Sequence, residues 1–195
     1  MIIDFHTHMF PDKIAARTID FLSKTGGDMN PFTDGTWKGL KESTKQAGID
    51  HSIVLPIATR PGQFHTINEF ATHFQEGTLI SFGSLHPESE NYKEELKQIQ
   101  DMGMKGIKLH PDYQDTYFND IRYKRIISYA TELGLIISVH AGQDPKCPDN
   151  IHCTPAMAEE VLNEVEPEKL VLAHMGGNGN SSSFQRLQCL RQGLP

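Results

Sequence analysis

The chain has 195 residues and a formal net charge of −7, with 37% hydrophobic and 22% charged residues. This length and balance predict one globular domain with a sizeable core. Nucleic-acid and membrane partners are not expected, because the chain has neither a block of Lys or Arg nor a long apolar run. Three cysteines make no disulfide framework, and the N-terminus does not resemble a signal peptide. We therefore expect a cytoplasmic protein with reduced thiols.

Short apolar, β-branched runs alternate along the chain with longer amphipathic segments. The runs that predict strands are 1–6, 51–56, 78–85, 105–109, 135–140 and 169–173. The segments that predict helices are 11–26, 36–48, 66–77, 89–103, 122–134 and 154–165. Glycines placed just after helices are typical of left-handed helix ends, and they are Gly48, Gly77, Gly103 and Gly134.

The alternation of strands and helices predicts an α/β fold with a parallel sheet and helical crossovers. Most of the predicted strands end at a histidine, and the strand ends are His8, Pro56, His86, His110, His140 and His174. Polar residues at the carboxyl ends of successive parallel strands are typical of a TIM-like (β/α) barrel, here with about six of its eight units. The alternative is a doubly wound open sheet, but the Gly-rich loop that usually follows its first strand is missing.

The first strand carries an ionisable residue at every second position: Asp4, His6 and His8. Strict alternation would place all three on one face, which in a barrel points inward. Buried imidazoles need a partner, and a metal ion is a common one. The alternative is a pair of hydrogen-bonded core histidines, or a turn whose histidines face water. His140 and His174, at the ends of later strands, favour the metal.

Four motifs now resemble a known family: DFHTH at 4–8, GIKLHP at 106–111, VHAG at 139–142 and AHMGG at 173–177. In this order they are similar to the amidohydrolase superfamily. More narrowly, they resemble its amidohydrolase-related branch, which includes the aminocarboxymuconate-semialdehyde decarboxylase-like enzymes. The resemblance covers residues 1 to about 178, and it implies a distorted TIM barrel that holds a catalytic divalent metal.

The resemblance also implies roles for four histidines. His6, His8 and His140 match the metal ligands, and His174 matches a catalytic histidine that polarises the substrate. The expected cofactor is one divalent metal, usually zinc, with manganese as an alternative. Three protein ligands would leave an open coordination position for water, as catalytic zinc sites do.

Five further residues are candidates at the same site. Lys108 and His110 share a face of the fourth strand, and we expect both to contact substrate; Lys108 would pair with a substrate carboxylate or with Asp4. In binuclear relatives a carboxylated lysine on this strand bridges two metals, and this remains an alternative for Lys108. His86 and His152 are weaker candidates for substrate contacts. Asp4 would support the metal ligands through a hydrogen bond from below.

The chain departs from the family at its end. After a partial barrel at 1–178, residues 179–195 form an atypical, serine-containing tail with no apolar run for a seventh or eighth strand. The aspartate that the family places on the eighth strand has no counterpart. The end of the chain is interpreted as truncated or frame-shifted. A barrel with exposed strand edges would be marginally stable, or would be completed in a homo-oligomer.

The leading interpretation is a metal-dependent hydrolase that acts on an amide, ester or lactone of a small, anionic molecule. A non-oxidative decarboxylase or hydratase of the same branch is the first alternative, because ligand residues do not separate these reactions. The second alternative is a truncated remnant that binds metal without turnover. The expected partner in the first two cases is a small-molecule substrate.

Overall fold

The computed structural model describes residues 1–26, 30–145 and 147–177 of the chain. Its strands are β1 (Ile3–Thr7), β2 (His51–Val54), β3 (Leu79–Ser81), β4 (Gly83–Ser84), β5 (Gly106–Leu109), β6 (Ile136–Val139) and β7 (Leu170–Leu172). Its α-helices are α1 (Asp12–Thr25), α2 (Trp37–Gln46), α3 (Phe64–Thr72), α4 (Tyr92–Asp101), α5 (Ile121–Glu132) and α6 (Pro155–Val165). The predicted tail at 179–195 lies outside the described residues.

Every strand pair in the described part of the chain is parallel, and the strands follow one another in chain order, as β1-β2-β3 and as β4-β5-β6-β7. Only Phe82 separates β3 from β4, and its amide donates to the carbonyl of Val54 at 2.9 Å. The two short strands are therefore halves of the one strand that the sequence predicts at 78–85. Six successive parallel strands without a reversal of order are typical of a barrel, not of a doubly wound sheet. Within the described residues, no pairing joins β1 to β7.

The main core lies between the sheet and helices α4, α5 and α6. Ile107 and Leu109 of β5 and Ile137 and Val139 of β6 are fully buried and belong to one cluster with apolar residues of these helices. Full burial of each such side chain contributes about 1.5–3 kcal/mol to the free energy of folding. Because these four point toward the helices, alternation turns Lys108 and His140 to the opposite face, where the candidate site lies.

Helix boundaries mostly follow the predicted signals. The Thr154 hydroxyl accepts from the amide of Met157 at the start of α6, which makes it an N-cap. The glycines predicted to end helices do have positive φ, at Gly48, Gly77, Gly103 and Gly134. The start of α3 differs, because Thr66 lies inside the helix. The Gln63 side chain instead accepts from the amides of Thr59 and Arg60, and the helix begins at Phe64.

Strand β1 contains an irregularity that its sequence pattern does not reveal. The pairing with β2 shifts register between Asp4 and Thr7, so strict alternation does not run from Asp4 to His8. Asp4 lies opposite Ser52, whose hydroxyl is 2.9 Å from that of Thr44 on α2. The expectation that Asp4 shares a face with both histidines through unbroken alternation is therefore wrong. The Asp4 carboxylate accepts from the His6 amide at 3.1 Å and supports the irregular strand end.

None of the helices in the described part of the chain combines the length and the apolar character needed to cross a membrane.

Candidate metal centre and active site

His6 and His8 lie at the end of β1 with their Nε2 atoms 3.2 Å apart. His8 Nδ1 lies 2.8 Å from the carbonyl oxygen of Leu55, which can only accept, so Nδ1 carries the ring proton. Nε2 of His8 therefore presents its lone pair toward His6. Fixing the tautomer through the second ring nitrogen is how proteins prepare histidine for a metal.

His140 and His174 form a second pair, which contacts the first. Nε2 of His174 lies 3.0 Å from Nδ1 of His140, and the ring centres of His6 and His174 are 4.7 Å apart. The loop that follows β7 thus lies against the end of β1, although these two strands do not pair in the described residues. The structure brings together all four histidines that the sequence motifs single out.

Low pKa values keep these imidazoles neutral at neutral pH. Burial, followed by the nearby Lys108 amine, lowers the pKa of His6 to about 2. Burial and the neighbouring His174 lower the pKa of His140 to about 3. A neutral imidazole has a free lone pair, so a divalent metal would bind here without first displacing a proton. The chemistry of this donor set therefore fits a metal ion.

The loop that carries His174 is strained and tightly packed. His174 and Met175 have φ values of 57° and 53°, in the left-handed region that non-glycine residues seldom adopt. Gly177 has φ of 108°, and a Cβ built on it would lie 2.4 Å from the Cα of Gly142. The glycines of the VHAG and AHMGG motifs thus let the two histidine-bearing loops approach closely, which fixes His174 against His140.

Replacing Gly177 with alanine is expected to destabilise the protein by about 2 kcal/mol or more, through backbone strain and the clash with Gly142. Urea unfolding measures this change. Gly62→Ala is the matched control, because a Cβ at Gly62 meets open space, and its effect should stay within about 0.5 kcal/mol. A Gly177→Ala protein as stable as the Gly62→Ala control would contradict the close approach of the two loops.

Lys108 is fully buried, and its Nζ has no hydrogen-bond partner in the described structure. Its charge lowers the pKa of His6, His8, His140 and His174, so the amine lies among them. Burial lowers the pKa of Lys108 itself to about 7. Lys108 does not pair with Asp4, which was one of its two expected partners. An unpaired buried amine is costly, and an anionic group that entered the site would satisfy it.

His110 follows β5 and stacks between two rings. Its ring centre lies 4.0 Å from that of Tyr113 and 4.1 Å from that of His140, and in both pairs the ring planes are nearly parallel. Gln114 holds the surrounding loops together, since its side chain accepts from the His110 amide and donates to the carbonyls of Ala58 and Leu85. These bonds fix His110 beside the histidine cluster, where the sequence predicted a substrate contact.

Two buried carboxylates lie beside His140, and the sequence interpretation did not include them. Asp144 Oδ2 is 3.8 Å from Nε2 of both His110 and His140. Asp112 Oδ2 is 3.7 Å from His140 Nε2, while its Oδ1 lies 3.0 Å from His152 Nδ1. Their signals were present in the sequence: Asp112 comes two residues after His110, and Asp144 comes four after His140.

His152 and His86, the remaining predicted substrate contacts, lie at different distances from the cluster of His6, His8, His140 and His174. His152 reaches it through Asp112, as just described. His86 follows β4 and is buried, but its Nδ1 accepts from the amide of Glu88, and its ring lies near that carboxylate. His8 is exposed and His6 is half-buried, so the site opens to solvent at the β1 end.

Among the described residues, His110, His140 and Asp144 form a group whose ligand atoms all lie within 4.8 Å of one another. The ligand atoms of the predicted set His6, His8 and His140 do not all lie within this distance of one another, and the two sets share only His140. The Tyr113 amide donates to the His110 carbonyl at 3.1 Å and also to His110 Nδ1 at 3.3 Å. A neutral His110 then carries its proton on Nε2, the atom that would have to bind the metal.

The amidohydrolase family profile matches residues 3–187 of the chain, and the chain belongs to this family. No curated protein shows significant similarity to it.

Solved structures establish the barrel fold. A protein named IDCase from Metarhizium anisopliae, in apo form, has a TM-score of 0.67 at 18% identity, over 98% of this chain and 71% of its own. A probable 2-pyrone-4,6-dicarboxylic acid hydrolase from Acinetobacter baumannii, with citric acid bound, has a TM-score of 0.56 at 14% identity, over 95% of this chain and 66% of its own. A 5-carboxyvanillate decarboxylase from Novosphingobium aromaticivorans, with bound manganese and a nitrobenzoic acid, has a TM-score of 0.54 at 12% identity, over 77% of this chain and 53% of its own. The present chain thus spans only part of their length and forms part of a TIM-like barrel.

Proposed function

We propose that this chain carries the metal centre of a metal-dependent hydrolase that cleaves an amide, ester or lactone of a small, anionic molecule. The main support for this proposal is that the unpaired amine of Lys108 lies near four converging histidines, which are His6, His8, His140 and His174. His6 and His8, through Nε2, and His140, through Nδ1, would hold a divalent metal, with zinc expected and manganese as the alternative. A metal there would act as a Lewis acid on a bound carbonyl and would activate water.

The remaining residues would bind and orient the substrate. Lys108 would pair with a substrate carboxylate, which would give the buried amine the partner that it lacks. His174 would hold the substrate oxygen and donate the proton of its Nε2 to it, because burial and Lys108 lower its pKa and a neutral ring with an unprotonated His140 Nδ1 3.0 Å away carries its proton on Nε2. His110, His86 and His152 stay proposed substrate contacts, and we propose a cytoplasmic location.

A decarboxylase that uses the same centre is the second candidate. The comparisons support it, because the barrel is similar to a hydrolase of a pyrone dicarboxylate and also to a decarboxylase of an aromatic carboxylate. Lys108 would bind an acidic substrate in either case. Ligand residues shared by the two reactions do not decide between them.

The test is an assay of the protein, loaded with zinc or with manganese, on lactones, amides and aromatic carboxylates. 2-Pyrone-4,6-dicarboxylate and 5-carboxyvanillate are the first compounds to try. Release of acid with no carbon dioxide supports the hydrolase, and release of carbon dioxide selects the decarboxylase. The His174→Asn variant should keep its metal and lose about 100- to 10,000-fold in rate. No turnover with either metal across the panel would contradict the proposed function and favour a metal-binding remnant.

A further inference from the structure

The carboxylates of Asp112 and Asp144 have no role in the function proposed above. Both side chains are buried, at 0% and 7% exposure respectively, next to the imidazole ring of His140. A buried carboxylate is costly unless hydrogen-bond donors surround it. Their place beside a proposed metal ligand at the end of β6 suggests a role for them at the metal centre.

Both carboxylates lie beside Nε2 of His140. Nε2 of His140 and Oδ2 of Asp112 are both buried, and neither has a hydrogen-bond partner in the described structure. They lie 3.7 Å apart, and Asp144 Oδ2 lies 3.8 Å from the same nitrogen. A movement of about 0.6 Å would bring either oxygen within the normal N–H···O range. The simplest way to satisfy these atoms is a proton on Nε2 of His140.

Neighbouring contacts support the same assignment. His110 accepts from the Tyr113 amide through Nδ1, so its Nε2 carries a proton, and this atom also faces Asp144 Oδ2. Asp144 Oδ2 thus lies equally far, 3.8 Å, from Nε2 of His110 and from Nε2 of His140. Asp112 is held from the other side by the His152 ring, 3.0 Å away, and by the His152 amide. The carboxylates are therefore fixed on the side of His140 away from His174.

We propose that Asp112 and Asp144 are positioning residues that hold His140 in the Nε2–H tautomer. The lone pair of Nδ1 then points toward His174 and the metal centre. The inference rests on the proposed role of His140 as a metal ligand. Carboxylates that bind the second nitrogen of a histidine ligand fix the ring orientation and raise its basicity, and their loss costs about 10- to 100-fold in metal affinity.

The first test reads the tautomer directly. Nitrogen NMR of the metal-free protein, with ¹⁵N-labelled histidine, distinguishes a protonated from an unprotonated ring nitrogen. His140 should show a protonated Nε2 and an unprotonated Nδ1, and Asp144→Ala should mix the two tautomers. A wild-type His140 with its proton on Nδ1 would overturn the proposal. This measurement needs no variant, so it decides even if a variant fails to fold.

The second test measures zinc affinity and stoichiometry by titration of chelator-stripped protein. Asp112→Ala and Asp144→Ala should each bind one zinc ion about 10- to 100-fold more weakly than the wild type. Asp115→Asn is the matched control, because this carboxylate lies near His152 but is 98% exposed, and its affinity should not change.

Each result has a defined consequence. Unchanged affinity in both alanine variants would overturn the positioning role while leaving the proposed metal centre intact. Two zinc ions in the wild type and one in Asp144→Ala would also overturn it, because Asp144 would then hold an ion directly. A wild type that binds no zinc would instead contradict the proposed metal centre, and the NMR measurement would still decide the tautomer.

Discussion

Replacing His8 with asparagine is expected to weaken zinc binding by more than about 100-fold. The loss should exceed the 10- to 100-fold cost of removing a group that only supports a ligand. His8 suits this experiment because it is exposed, so its replacement should leave the fold intact. Its Nδ1 already binds the Leu55 carbonyl, and Nε2 is the atom left for a metal. Titration of chelator-stripped protein with zinc measures the effect.

His73→Asn is the matched control for this experiment. His73 is also exposed, but its Nδ1 lies near carbonyls at the end of α3, far along the chain from the site motifs. Its replacement should not change the affinity. Equal zinc affinities in the two variants would remove His8 from the metal centre.

Replacing Lys108 with methionine is expected to stabilise the metal-free protein near pH 7. The pKa of Lys108 is about 7 in the folded chain and 10.5 in the unfolded chain, because burial disfavours the charged amine. The gap between these two pKa values corresponds to on the order of 5 kcal/mol against folding. Methionine has a similar shape and carries no proton, so it avoids this cost.

The pH dependence gives this prediction its sign. Between pH 7 and 10.5 the unfolded chain keeps the Lys108 proton and the folded chain does not, so the contribution of Lys108 raises stability with pH. The advantage of Lys108→Met over the wild type should therefore shrink as pH rises from 7 to 10. Urea unfolding at several pH values measures it. Lys105→Met, at an exposed lysine just before β5, should show no such trend. If the unfolding free energies of Lys108→Met and the wild type differed by the same amount at every pH, the lowered pKa of the buried Lys108 amine would be contradicted.

Much of the fold could be predicted because its signals are local. Apolar runs of four to eight residues predicted the strands, and a glycine such as Gly134 marked the end of a helix. The convergence of His140 and His174 followed from the rule that active sites of barrels lie at the carboxyl ends of the strands. Because the strands are parallel and follow chain order, the meeting of these ends could be predicted without any knowledge of side-chain packing.

Other features depend on three-dimensional contacts that leave no periodic signal. The register shift between Asp4 and Thr7 in β1 has no sequence pattern, so the inferred common face of Asp4 with the histidines was wrong. Asp112 and Asp144 lie in loops, where neither helical nor strand periodicity applies. Their distances of 3.7 and 3.8 Å from Nε2 of His140 show that these carboxylates lie at the site.

The most direct test of the proposed metal centre is anomalous X-ray diffraction at the zinc edge, from crystals of the protein soaked in zinc. An anomalous peak is expected about 2.0–2.1 Å from Nε2 of His6 and Nε2 of His8, with Nδ1 of His140 as the third protein ligand. A peak bound instead by His110, Nε2 of His140 and Asp144, or no peak at the histidine cluster, would contradict the proposed metal centre.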